Sequence, residues 1–194
     1  MLPSWSLLEI FAAITGLLAV YLTAKQIIWC WPVALINTIL YTIVFYQSSL
    51  FADTGLQVFY FFSSIYGWFY WKKNDVKVLS PIKRIATQEY FWGSIFIFFS
   101  FLILGFGLKK YTQASMPLLD SFCVAMSLCA QIFMARRRLE NWLIWISVDF
   151  IYVGLFIFKE LYLTAILYAL FIIIAIAGYI DWKKTWNSQH QLKT

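Results

Sequence analysis

The chain has 194 residues, of which 62% are hydrophobic, 21% aromatic and 12% charged, far from the roughly 25% charged composition of soluble domains. That balance excludes an ordinary soluble domain and predicts an integral membrane protein. A formal net charge of +6 does not point to nucleic acid, because Lys and Arg gather between apolar segments, as orientation signals do, and form no basic face.

Spanning a hydrocarbon core of about 30 Å takes roughly 20 apolar helical residues. Segments near 7–24, 28–46, 51–71, 90–108, 118–135, 141–158 and 162–181 meet that length, so the expected fold is an all-α polytopic membrane protein with seven transmembrane helices. The first run lacks a basic flank and is longer than a signal-peptide core, which predicts a retained helix. Short polar turns at Lys25-Gln26 and Gln47-Ser48-Ser49 make the first three segments antiparallel neighbours. The longest connection, 72–89, carries Lys72, Lys73, Lys77, Pro81, Lys83 and Arg84 and reads as a solvated loop.

Alternating sides along seven spans puts Lys25, the lysines and arginine of 72–84, Arg136, Arg137, Arg138, Lys183, Lys184 and Lys193 on one side. Only Lys109, Lys110 and Lys159 fall on the other. Positive charge prefers the cytoplasm, so the N-terminus is expected outside and the C-terminus inside.

The chain also repeats itself. Residues 9–73 superpose without a gap on 120–184, with Glu9 on Asp120, Lys25 on Arg136, Trp31 on Trp142, Tyr41 on Tyr152, Leu50 on Leu161 and Gly67 on Gly178. Trp71-Lys72-Lys73 falls on Trp182-Lys183-Lys184. The implied organisation is a three-helix repeat over 7–73, a loop and linking helix over 74–117, a second repeat over 118–184 and a polar tail over 185–194. With one helix between them, both triplets enter the membrane in the same orientation, a recurrent transporter design that holds a solute near the midplane.

The chemistry concentrates on the sixth segment. Trp142, Trp145, Asp149 and Tyr152 are spaced three, four and three apart and share one helical face. A carboxylate at mid-membrane costs on the order of 2.5–3.5 kcal/mol, so Asp149 implies a partner or a function; a hydrogen bond to a neighbouring helix is the alternative. Trp145 one turn away completes an aromatic slot beside an anion, suited to a flat cationic ring, whereas Trp142 also suits the interfacial belt. The first repeat offers Asn37 and Thr38 at the equivalent level, Tyr41 one turn on, and a stripe of Thr54, Gln57, Phe61 and Ser64. Gln57 corresponds to Tyr168. An amide can donate to and accept from sugar hydroxyls, although Asn37 and Gln57 serve equally as interhelical glue.

Cys30, Cys123 and Cys129 form no Cys-x-x-Cys pair, and the single histidine, His190, stands in the polar tail. No metal cluster, cofactor motif or catalytic triad is therefore expected, and no enzyme.

Gly55-Leu56-Gln57, Ser64-Ile65-Tyr66-Gly67-Trp68 with Trp71, Asn141-Trp142-Leu143-Ile144-Trp145 with Val148-Asp149, and Tyr162-Leu163-Thr164-Ala165 with Leu167-Tyr168 resemble the PnuC family of bacterial vitamin transporters. The likeness covers nearly the whole chain, and Trp142-x-x-Trp145 is its most specific part. It implies a three-plus-one-plus-three core related to SWEET proteins, often trimeric, in the bacterial inner membrane. It also implies facilitated diffusion of nicotinamide riboside, trapped by a cytoplasmic kinase without ATP or ion gradient at the transporter. Trp142 and Trp145 would then surround the base and Gln57 would be a polar contact. Asn37, Tyr41, Ser64, Asp149, Tyr152 and Tyr168 rest on facing and depth. Thiamine, another flat cation, is the alternative cargo, and a non-transporting membrane scaffold is the alternative class.

Overall fold

A computed structural model describes residues 7–47, 51–74, 81–111, 116–158, 160 and 162–191. The described residues form seven α-helices: α1 (Leu7–Ala24), α2 (Cys30–Gln47), α3 (Phe51–Asn74), α4 (Thr87–Tyr111), α5 (Pro117–Ala135), α6 (Asn141–Phe158) and α7 (Tyr162–Gln191). The turn at Ser48-Ser49, and Leu50, Lys77, Lys159, Leu161 and Lys193, lie outside the described residues.

Helices are what such a sequence must form, since a backbone in lipid has to satisfy its own N–H and C=O groups. Six of the helices are long and apolar enough to cross a membrane. α3 is the exception among those described: at 24 residues it is long enough, but Thr54, Gln57, Ser63 and Ser64 dilute its apolar character. α7 runs on to Gln191, about 45 Å at 1.5 Å per residue, so most of the expected polar tail is a helical extension.

The chain divides into two compact units, Met1–Ser80 and Pro81–Thr194. In the first, α2 packs between α1 and α3; in the second, α4 packs on α5, α5 on α6 and α6 on α7. The leading helix of each triplet buries small residues: Ala12, Ala13, Gly16 and Ala19 in α1, Ser121, Cys123, Ala125 and Cys129 in α5. Small side chains let neighbouring backbones approach, which is what drives helix association where lipid removes the hydrophobic effect. Large apolar residues such as Phe11, Ile14, Phe98 and Ile103 point outward.

The sequence repeat is also a repeat of geometry. α1 and α5 end on the same turn, in which Gln26 (φ 59°) and Arg137 (φ 53°) take left-handed backbone. Gln26 N–H donates to Thr23 O and Ile27 N–H to Leu22 O, both at 2.9 Å. Arg137 N–H donates to Met134 O at 2.9 Å and Arg138 N–H to Phe133 O at 2.8 Å. These paired bonds cap the last carbonyls of each helix.

Behind each turn stands the same keystone. Trp31 meets Trp71 edge-on, centroids 5.3 Å apart at 89°, and Trp142 meets Trp182 at 5.5 Å and 88°. All four indoles are buried. Gly67 and Gly178 lie flat against Trp31 and Trp142; a Cβ on Gly178 would sit 2.7 Å from the Trp142 ring, so only glycine leaves room.

Residues 81–86 are not the solvated loop expected from their charges. Ile82 and Ile85 are buried, and Ile85 packs with Cys129 and Phe133 of α5.

Candidate functional site

In the second unit, α6 is apolar apart from Asn141 at its start, Ser147, Asp149 and the Tyr152 hydroxyl. Trp142, at the start of α6, is wholly buried against Gly178 and Trp182. Its Nε1–H has no hydrogen-bond partner among the described residues. Trp142 thus packs the helix junction as Trp31 does.

One turn on, Trp145 is half-buried, and after it Asp149 is only 5% exposed. Among the described residues Asp149 makes no hydrogen bond and no ion pair. Its repeat mate Thr38 is also buried, at 4%, but returns its hydroxyl to Leu35 O at 2.9 Å. A buried hydroxyl can be satisfied by its own helix; a buried carboxylate cannot, and costs several kcal/mol until a cation or proton arrives.

Tyr152 stacks on Phe156 at 5.7 Å and 17° and leans on Tyr168 of α7 at 5.1 Å. Tyr168 also meets Phe156 at 5.0 Å and Phe171 at 5.7 Å. The structure therefore brings Tyr152 and Tyr168 together in an aromatic cluster beyond Asp149. Phe156 and Phe171 belong to it and were not foreseen, although the identity of Phe45 and Phe156 in the repeat was a signal. Tyr41 stacks on Phe45 at 5.3 Å and 23°, the counterpart of the Tyr152–Phe156 pair.

In the first unit, Asn37 Nδ2 donates to Ala12 O at 2.6 Å and to Thr15 Oγ1 at 3.2 Å. Its NH2 group ties α2 to α1, a partner that sequence spacing did not indicate. Gln57 and Ser64 differ. They share a face of α3, are 9% and 1% exposed, and Gln57 Oε1 and Ser64 Oγ have no hydrogen-bond partner among the described residues. α3 therefore holds polar groups in reserve.

No Lys or Arg stands within α1, α2, α5 or α6; the lysines of α3 and α4 lie in their last turns and those of α7 at Lys183 and Lys184, toward its end. The polar complement at mid-helix is one carboxylate, amides, hydroxyls and aromatic rings. Aromatic rings and a carboxylate suit a flat or cationic solute, and no basic side chain at that depth pairs with a phosphate.

Apolar spanning helices in two repeats define a multi-pass membrane protein. The family model described as nicotinamide mononucleotide transporter matches residues 6–184, so the chain belongs to that family. It is 28% identical to the nicotinamide riboside transporter PnuC of Escherichia coli, over 92% of this chain and 85% of the relative. Against the riboflavin/roseoflavin transporter RibM of Streptomyces davaonensis it is 22% identical over 92% and 84%. A crystal structure of the vitamin B3 transporter PnuC superposes with a TM-score of 0.75 at 24% identity, covering 93% of this chain and 82% of that one, which fixes the shared fold.

Proposed function

We propose that the protein carries nicotinamide riboside across the bacterial inner membrane by facilitated diffusion, the flux drawn inward by phosphorylation in the cytoplasm. The observation that carries this reading is Asp149, a buried carboxylate without a partner among the described residues. A cationic pyridinium is the complement it calls for. The family description names a mononucleotide, but a phosphate would meet Asp149 with like charge and find no basic side chain at that depth. The riboside lacks that phosphate.

On this reading Trp145 stacks on the base, Asp149 neutralises it, and Tyr152 and Tyr168 shape the pocket beyond. Gln57 and Ser64 answer the ribose hydroxyls, Tyr41 and Asn37 border them, and Trp142 supports Trp145 from behind. The N-terminus lies outside and the C-terminus in the cytoplasm, and the assembly is a homotrimer, as the family likeness implies. Binding calorimetry on purified protein tests it: nicotinamide riboside is expected to bind at least tenfold tighter than its mononucleotide. Tighter binding of the mononucleotide would overturn the assignment. Thiamine keeps a second place because it is also a flat cation, and the same titration ranks it. Riboflavin, uncharged, is expected to bind weakly. Uptake into vesicles that proceeds only with an imposed ion gradient would remove the uncoupled mechanism.

A further inference from the structure

The segment before α4 is a strap that ties together the ends of all four helices of its unit. Lys83 pairs with the turn between α5 and α6: its N–H donates to Arg137 O at 3.1 Å and its carbonyl accepts from Leu139 N–H at 2.9 Å. Gln189, near the end of α7, accepts from Ile82 N–H at 3.1 Å. Glu89 accepts from Ala86 N–H at 2.9 Å, capping α4, and receives Arg138 through Nε at 3.1 Å and Nη2 at 2.6 Å.

Glu140 holds the centre. One carboxylate oxygen accepts from Arg84 Nε at 2.8 Å and the other from Ile85 N–H at 2.9 Å. Its hydrogen bond and charge push the Arg84 guanidinium still higher in pKa, so it stays cationic. Glu140 is 7% exposed, so its bond to Ile85 N–H is shielded from water, while Arg84, 62% exposed, reaches it from the solvent side. Beneath them Ile85 packs with Cys129 and Phe133, against Ile97 of α4 and Ile144 of α6.

The corresponding turn of the first unit carries different residues where Glu140 and Arg138 stand. Glu140 falls on Trp29 and Arg138 on Ile27, which are 66% and 41% exposed, and neither can grip a strap. Glu140 also immediately precedes α6, and Ile144, the contact under the strap, immediately precedes Trp145. A helix transmits rotation at its first turn along its length, so the entry of α6 sets where Trp145 and Asp149 face.

We propose that Glu140, acting through the 81–86 strap, is a positioning residue that fixes the rotation of α6 and thereby the presentation of Trp145 and Asp149. Its importance for transport rests on those two residues being substrate contacts, so the test begins without substrate. In a Cys30→Ser, Cys123→Ser background, Cys129 is the remaining thiol, shielded at 3% exposure beneath the strap. Glu140→Gln is expected to speed its alkylation by N-ethylmaleimide about tenfold, as local opening of the strap exposes it. In protein carrying 5-fluorotryptophan, the Trp145 fluorine resonance, assigned by its loss in Trp145→Phe, is expected to shift, while that of Trp31 stays in place.

Arg84→Gln, whose side chain is 62% exposed and whose loss does not hollow the core, is expected to give the same two changes at smaller size and serves if Glu140→Gln does not fold. Faster alkylation with an unmoved Trp145 resonance would reduce the strap to a cover for the core and overturn the proposal. A moved resonance with a still-shielded Cys129, or no change in either, overturns it too. Where both move, affinity for nicotinamide riboside is expected to fall about fivefold, the effect of a slightly misplaced contact. Unchanged affinity in that case leaves the strap standing and removes Trp145 and Asp149 as substrate contacts.

Discussion

The two units share a frame and differ in what they hang on it. Both have the left-handed turn, the crossed tryptophans and the glycine beneath them. At mid-helix they part: the first offers Asn37, Thr38 and Gln57 where the second offers Val148, Asp149 and Tyr168. Duplication preserved the turn, the crossed tryptophans and the glycine, and let the polar residues at mid-helix diverge. The lesson is a sorting rule. A residue alike in both halves is architecture until shown otherwise, and a polar residue that differs between them is a candidate for chemistry.

The largest expected effect tests the shared frame. Gly178→Ala puts a methyl group 2.7 Å from the Trp142 ring, where neither helix backbone nor indole can yield. Overpacking of this kind costs about 1–3 kcal/mol, read as a lower thermal unfolding midpoint in detergent. Gly67→Ala is expected to match it in the first unit, while Gly154→Ala, with nothing within 4 Å, stays near wild type. If all three behave alike, the keystone is not what orders the triplets.

The next prediction addresses the part that differs. Trp145→Ala is expected to weaken nicotinamide riboside binding about tenfold, within the 0.5–2 kcal/mol of a ring stacked on a cation. Trp92→Ala, on the outward face of α4 at 65% exposure, is expected to change nothing. Equal losses would remove the reason for placing the slot on α6.

Asp149→Asn separates charge from shape. Affinity for nicotinamide riboside is expected to drop about fivefold, while its uncharged dihydro form, with the same ribose, binds as before. Without ligand the variant is expected to be more stable by about 1 kcal/mol, since it relieves a buried charge that nothing in the described chain offsets. A stability loss would reveal a structural partner.

Much of this architecture was legible because membrane helices are set by one strong variable. Apolar length placed α1 at 7–24 and α6 at 141–158, and both run over those residues. The same variable misjudged α7, whose last turns leave the apolar run yet stay helical, with the His190 ring tilted against Trp186 at 4.3 Å. It also hid the strap, because Glu140 meets Ile85 through a backbone N–H that no side-chain pattern encodes. Within the site, helical spacing placed Asp149 and Trp145 on one face. What it could not assign was Trp142, whose neighbours Gly178 and Trp182 come from another helix. The repeat had already aligned all three with Gly67, Trp71 and Trp31, so the clue lay in symmetry.

The smallest effect decides what kind of residue Asn37 is. On spacing alone it and Gln57 were equivalent candidates, uncharged amides in apolar runs. Their surroundings now differ: Asn37 has committed its NH2 to Ala12 and Thr15 of α1, whereas Gln57 keeps a buried carbonyl without a partner among the described residues. A committed amide is glue, worth about 0.6 kcal/mol between membrane helices; an uncommitted one is free to meet a ligand. Asn37→Ala is therefore expected to lower stability by that amount and leave nicotinamide riboside affinity within twofold, while Gln57→Ala does the reverse. Were Asn37→Ala to cost affinity instead, the α1 contact would have to be one that substrate displaces, and the first unit would rearrange on binding.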